Sequence, residues 1–238
     1  MTINTKLKRL YKSLYPELEI QLTRYNRKNT GSERATNPLL LKVDKSYIEA
    51  DVKIMFFGQE TNVWLGERRN GAFLGEIEPV LDLYENFYLS GGCFSYGGQF
   101  WNGIKKFKDL LQEKNPDLNF GYVWNNVVKI GKCEVGNSSK INTIIKDNFS
   151  VIKREIEILE PDFLVFFSGP NYDNIINDVI GDFKKKKVRN FDTRELCELH
   201  HPDFPLAFRT YHPNYLWRND IENYMTPIVR KIYRESEN

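Results

Sequence analysis

The chain has 238 residues, with 34 Lys and Arg against 32 Asp and Glu for a formal charge of +2, and 41% hydrophobic against 28% charged side chains. That composition supplies a core and excludes global disorder. The near-balance of charge excludes a polyanion binder acting through bulk charge, so any nucleic-acid contact must come from a local basic patch.

From the N-terminus, Leu7, Leu10, Tyr11, Leu14, Tyr15 and Leu18 recur at mostly helical spacing and predict a helix within residues 5–25. Residues 26–38 are polar and breaker-rich and read as a loop. The expected organisation is therefore an N-terminal helical extension over 1–37 and an α/β domain over 38–238. Four continuous apolar runs, 52–57, 121–128, 163–167 and a weaker 196–199, read as buried parallel strands, with 206–210 as a fifth. Helical stretches at 99–114, 149–159 and 172–180 lie between them, the last two stopped by Pro161 and Gly181. This alternation predicts a three-layer α/β/α sandwich with a central, mostly parallel sheet of four or five strands. In such sheets ligands sit outside the carboxyl ends of the strands.

The longest apolar runs fall far short of the roughly 20 residues that span a bilayer. The opening Met-Thr-Ile-Asn-Thr-Lys lacks the apolar stretch of a secretion signal. A cytoplasmic monomer with no membrane partner is expected. Cys93, Cys133 and Cys197 lie 40 and 64 residues apart, without knuckle spacing and odd in number, so no zinc or iron–sulfur site, disulfide framework or cofactor is expected.

Polar residues gather after the strands. The first is followed by Gly58-Gln59-Glu60-Thr61-Asn62, where a glycine turns the chain and a carboxylate reaches the crevice. The second ends in Asn125-Asn126-Val127-Val128-Lys129, and an asparagine amide matches the paired donor and acceptor on a pyrimidine edge. Near the C-terminus stands Arg209-Thr210-Tyr211-His212-Pro213-Asn214-Tyr215-Leu216-Trp217-Arg218. Alone, each also fits an ordinary turn, a structural amide or a His-Pro turn. Trp64, Trp101 and Trp124 read as core; His200-His201 reads as a loop cap or a second proton or phosphate group.

In combination these segments resemble the uracil-DNA glycosylase superfamily. Gly58-Gln59-Glu60-Thr61-Asn62 matches the frame of its first motif, and Asn126-Val127-Val128-Lys129 resembles its Asn-Val-Val-Lys version. His212-Pro213-Asn214-Tyr215-Leu216-Trp217 aligns with its closing His-Pro motif. Gly92-Cys93-Phe94-Ser95 is similar to the segment that carries its base-stacking aromatic, and Gln99-Phe100-Trp101 to a following Arg-Phe-Trp. The likeness covers roughly residues 50–220. It implies excision of uracil or a related modified base from single-stranded or duplex DNA by base flipping, without metal or cofactor. Glu60 and His212 would be catalytic; Gly58, Gln59, Phe94 and Asn126 would bind the base; Asn214, Leu216 and Arg218 would contact DNA, with Leu216 as wedge. Arg209 and the lysine run 184–187 would add phosphate contacts. The chain departs from the family at Glu60 (Asp or Asn there), at Asn62 (in place of a tyrosine), at Asn214 (in place of a serine), and in a long region 63–92. A member of the same fold that binds nucleic acid or a modified base without hydrolysis is the alternative, and an α/β enzyme acting on a free nucleotide a further one.

Overall fold

A strand covered on both faces needs apolar side chains at every position, and the apolar runs of this chain meet that need. The structure, a computed structural model, describes residues 1–238 except Asn62, residues 65–74, Val135 and Asn238. Its strands are β1 (Val52–Glu60), β2 (Phe120–Val128), β3 (Phe163–Phe166), β4 (Lys184–Lys187), β5 (Leu196–His200) and β6 (Leu206–Thr210), in the order β2-β1-β3-β6-β5-β4. β1, β3 and β6 are parallel, with Phe57 beside Phe166 and Phe166 beside Arg209. β5 is antiparallel to both β6 and β4.

The α/β class and mostly parallel sheet are those the sequence predicts. The sheet has six strands rather than four or five, and the 196–199 run, expected to be parallel, is antiparallel. The added strand is the lysine run. Its four exposed ammonium groups stand on the sheet's last strand, paired from Lys184 opposite His200 to Lys187 opposite Cys197. Lysines on an open edge oppose pairing with another chain.

The helices are α1 (Ile3–Lys28), α2 (Lys45–Ile48), α3 (Ile77–Tyr84), α4 (Gly92–Tyr96) and α5 (Gln99–Lys114), then α6 (Ser139–Asn148), α7 (Ile152–Leu159), α8 (Asp173–Val179), α9 (Pro213–Leu216) and α10 (Ile221–Ser236). The chain divides into two compact units: residues 1–43, 59–90 and 125–159, and residues 44–58, 91–124 and 160–238.

In the first unit α1 packs on α6 and α7, and Leu7, Tyr11, Leu18 and Leu22 are wholly buried. The 26–38 segment is a solvated loop only in its middle: residues 26–28 end α1, residues 30–33 are exposed, and residues 35–38 are buried. Asn26 grips Ala35 at both backbone groups (2.7 and 3.1 Å), the Thr36 amide donates to Gly131 O at 3.0 Å, and Asn37 bonds Trp64 O through its amide and its side chain. Asn26, Thr36 and Asn37 are thus consumed by neighbouring backbone, and Thr36 and Asn37 are fully buried. Nor is the described part of 63–92 a plain loop: it contains α3 and a π-helical turn, Glu85–Leu89. The Asn62 position lies outside the described residues.

In the second unit consecutive side chains of β1 face opposite sides of the sheet. Phe56 meets Phe107 of α5 edge-on at 5.5 Å, while Phe57 stacks on Phe166 at 4.5 Å. Such pairs contribute about 0.5–1.5 kcal/mol each beyond the area they bury. α10 lies along α5 and buries Ile221, Tyr224, Met225, Ile228, Val229 and Ile232.

Candidate functional site

β1 runs through Gly58 to Glu60, so the glycine does not turn the chain as expected. In the second unit the residues after Thr210 leave the carboxyl end of β6. His212 sits in the turn after β6 as the N-cap of α9, and its Nδ1 accepts from the Asn214 amide at 3.2 Å. An acceptor at Nδ1 places the proton of the neutral ring on Nε2, which becomes a donor. Burial pulls the imidazole down to about 4, because desolvation penalises the cation. His212 is therefore neutral at physiological pH.

A titration follows from this. The unfolded chain takes up the proton near pH 6.5, the folded one only near pH 4. Stability from this group is thus full above pH 6.5 and is lost as the pH falls toward 4. Imidazole NMR should show no change in His212 between pH 8 and pH 5; a midpoint near 6.5 would contradict the half-buried, neutral ring.

The ring is held by aromatics. Phe100 stacks on His212 at 5.4 Å, Trp101 meets Phe100 at 5.1 Å, and Phe94 meets Trp101 edge-on at 6.3 Å. Phe94 and His212, 118 positions apart, are joined through two adjacent residues of α5. Phe94 is half-buried, and Lys108 Nζ lies 5.4 Å from its centroid and 4.4 Å from that of Tyr122. Burial lowers the Lys108 ammonium, whose charge two ring faces offset in part.

α9 docks on α5 where Gly103 has no side chain. A β-carbon there would stand 2.5 Å from Pro213 Cβ. Gly103→Ala should push the His212-Pro213 turn off α5 and destabilise by about 1–3 kcal/mol, as overpacking does. Denaturant melts measure the loss, and a stability equal to the parent's would contradict the contact.

Two roles expected for this region are corrected. Leu216 is wholly buried within this unit, because the single turn of α9 rotates it inward, so it is no free wedge. The exposed aromatics of the turn are Tyr215 and Trp217, at 41% and 39%. Arg209 is 1% exposed, with its Nε 2.9 Å from Asp173 Oδ1 and its other nitrogens on the carbonyls of Thr193 and Arg194. It closes a structural pair rather than meeting phosphate. Asn214 and Arg218 are exposed, and Arg218 Nε donates to Asn214 O at 3.1 Å. His201 caps a turn, its Nδ1 accepting from the Asp203 amide at 3.1 Å.

In the first unit Gln59 and Glu60 end β1 half-buried, and Asn126 is 2% exposed near the end of β2. The segments after them are tied together, since Gly131 N donates to Thr61 Oγ1 at 2.8 Å. Beneath Asn126 lies a buried network that the strand-exit reading missed. Lys129 Nζ donates to both Glu155 oxygens (2.8 and 3.0 Å) and to Asn125 Oδ1 (2.9 Å). Asn125 Nδ2 donates to Glu155 Oε2 at 2.9 Å, and the Asn126 amide donates to Asn125 Oδ1 at 2.9 Å. Tyr11 OH donates to Glu155 Oε1 at 2.7 Å and accepts from the Leu41 amide at 3.0 Å. Tyr11, Asn125, Lys129 and Glu155 are each 0% exposed. Desolvation lowers the Lys129 ammonium, with Glu155 opposing it, and raises the Tyr11 phenol, with Glu155 reinforcing it. The sequence carried two signals of this: a lysine inside an apolar run, and Glu155 at the i+3 position of the stripe Ile152, Ile156, Leu159.

The second unit thus holds Gly58, Phe94, His212, Asn214, Leu216 and Arg218, and the first holds Gln59, Glu60 and Asn126. Among the described residues no group of three His, Cys, Asp or Glu side chains could hold a metal ion, and no helix is long and apolar enough to cross a membrane. No protein-family model matches the chain, and no curated protein matches it.

Proposed function

We propose that the chain is a DNA glycosylase-like hydrolase, a divergent relative of the uracil-DNA glycosylase superfamily that excises uracil or a related deaminated or modified base. The observation that carries the reading is His212: a neutral imidazole, aligned by Phe100, with Nδ1 occupied and Nε2–H left to donate. Breaking an N-glycosidic bond sends the bond pair onto the base, and a fixed neutral donor stabilises the oxygen where that charge gathers without a proton transfer.

In the proposed reaction Glu60 orients a water toward the sugar C1′ and its charge stabilises the sugar cation. The water oxygen bonds to C1′ as the C1′–N bond breaks; the water gives up one proton to solvent, and the departing base anion takes one up from solvent. An abasic site and free base result. Asn126 reads the base edge, and a base of the wrong pattern leaves its buried amide unpaired, which gives the discrimination. Phe94 stacks on the flipped base, a contribution of about 1–3 kcal/mol. Gly58 and Gln59 bring main-chain groups to the base, and Asn214 and Arg218 meet phosphate. With Leu216 buried, Tyr215 and Trp217 take the surface of the turn, which favours a single-stranded or unpaired substrate over an intact duplex.

A second reading, binding of a modified base without hydrolysis, is favoured by Glu60 itself, whose carboxylate is one methylene longer than the family's. One assay separates the two. The protein is incubated with single-stranded and duplex DNA containing uracil, hypoxanthine, xanthine or oxidised pyrimidines, and alkali-labile sites are counted. Cleavage, faster on the single strand, is expected. Salt-sensitive binding with intact substrate across all four would replace hydrolysis by the binding reading.

A further inference from the structure

Within the first unit, α1, the segment at 41–42 and α3 border a groove of about 540 Å³, inside the roughly 300–1,000 Å³ range of small-ligand sites. Leu41 and Leu81 close it from beneath at 0% and 5% exposure, and its rim carries Lys8, Arg9, Lys12 and Lys42 against Glu78 and Asp82. Thr5, Lys8, Arg9 and Lys12 occupy i, i+3, i+4 and i+7, so one face of α1 supplies three of the cations.

The charges do not cancel. Lys8 and Lys12 share one carboxylate, Glu78, at 3.3 and 2.8 Å. The two ammonium groups hold that carboxyl down at about 2, Lys12 foremost, so it stays ionised and fixes them in place. Lys42 is taken up by Asp82 at 3.7 Å and by Glu85. Arg9 is exposed and makes no ion pair among the described residues. Four cations, Lys8, Arg9, Lys12 and Lys42, face three carboxylates, Glu78, Asp82 and Glu85, so the rim keeps an excess of one positive charge.

The groove is also built rather than draped. Asn4 clamps Val43 at both backbone groups (2.8 and 2.9 Å), and buried Tyr11 holds the Leu41 amide at 3.0 Å. Tyr15 OH donates to Glu76 O at 3.0 Å, tying α1 to the start of α3. Preformed walls reduce the ordering cost of binding.

We infer that this groove binds a nucleotide through its phosphate, held by Arg9 and Lys12 at the rim. Arginine presents a planar fork that matches phosphate oxygens, and the shared-carboxylate lysines add point charge beside it. The phosphate has two sources, a free mononucleotide or the 5′ end of a DNA strand. The site is separate from the residues assigned to base excision and does not depend on that assignment.

The full chain is titrated by calorimetry with deoxyadenosine 5′-monophosphate, with deoxyadenosine, and with a short single-stranded oligonucleotide bearing or lacking a 5′-phosphate. Probes with the phosphate should bind and their phosphate-free counterparts should not. Arg9→Glu should weaken binding by at least about tenfold, the worth of one charge-assisted hydrogen bond. Arg27→Glu, exposed on the same helix but outside the groove, should leave it unchanged. Saturation by the mononucleotide identifies a free-nucleotide site, and binding by the phosphorylated oligonucleotide alone a strand-end site. No binding of either phosphate probe, or equal affinity in Arg9→Glu, overturns the inference, whatever the outcome for base excision.

Discussion

Lys129→Ala should lower stability by about 3–5 kcal/mol, because it leaves the Glu155 carboxylate buried without its countercharge. Tyr11 and Asn125 still donate to Glu155 in that variant, but neutral donors do not replace the ammonium in a site that water does not reach. The double variant Lys129→Met, Glu155→Gln removes both charges and keeps a carbonyl for Tyr11, while the new amide NH2 faces Asn125 Nδ2, so it should recover part of the loss. Guanidinium melts with an unchanged slope are the measurement. A single variant within about 1 kcal/mol of the parent would mean that the pair is not buried as described, since even one unpaired buried polar group costs about 1–3 kcal/mol. The network's last bond, from the Asn126 amide to Asn125 Oδ1, links this stability to the end of β2 where Asn126 stands. A buried ionic cluster is a poor source of stability compared with hydrophobic residues of similar volume. A fully satisfied one does hold its members in a single arrangement, here the end of β2.

His212→Ala should slow base release about 10²–10³-fold, the cost of one donor to a developing anion, with little change in substrate affinity. Because the donor is neutral, the parent's rate should carry no limb from this group between pH 5 and 8; burial pulls the imidazole down to about 4, below that window. Phe94→Ala should instead weaken binding, which distinguishes a stacking ring from a charge-stabilising one. Single-turnover rates and separate binding titrations read both effects. A rate for His212→Ala within threefold of the parent would remove the imidazole from the reaction.

The strands that position these residues were legible because doubly buried strands must be apolar throughout, as in residues 54–57 and 163–166. β4 was not, since four lysines carry no strand pattern and their state comes from pairing with β5. α10 has a regular stripe from Ile221 to Ile232 that was readable but lies after the last motif. Leu216 shows the limit of motif matching. Its spacing places it on the turn after His212, but a one-turn helix seated on Gly103 points it inward. Lys129 and Glu155 were visible as charges in apolar patterns; what a single sequence does not convey is that the two anomalies face each other. The pairing of Phe100 with His212 depends on how α9 meets α5, a tertiary fact with no local signature.

The most direct test of base excision is the origin of the new oxygen. Uracil-containing single-stranded DNA is incubated with the protein in ¹⁸O-water, and the products are weighed by mass spectrometry. N-glycosidic hydrolysis predicts unlabelled free base and an abasic sugar carrying ¹⁸O at C1′. Label in the base with the sugar–base bond intact, or no free base from the uracil-containing strand, would contradict it.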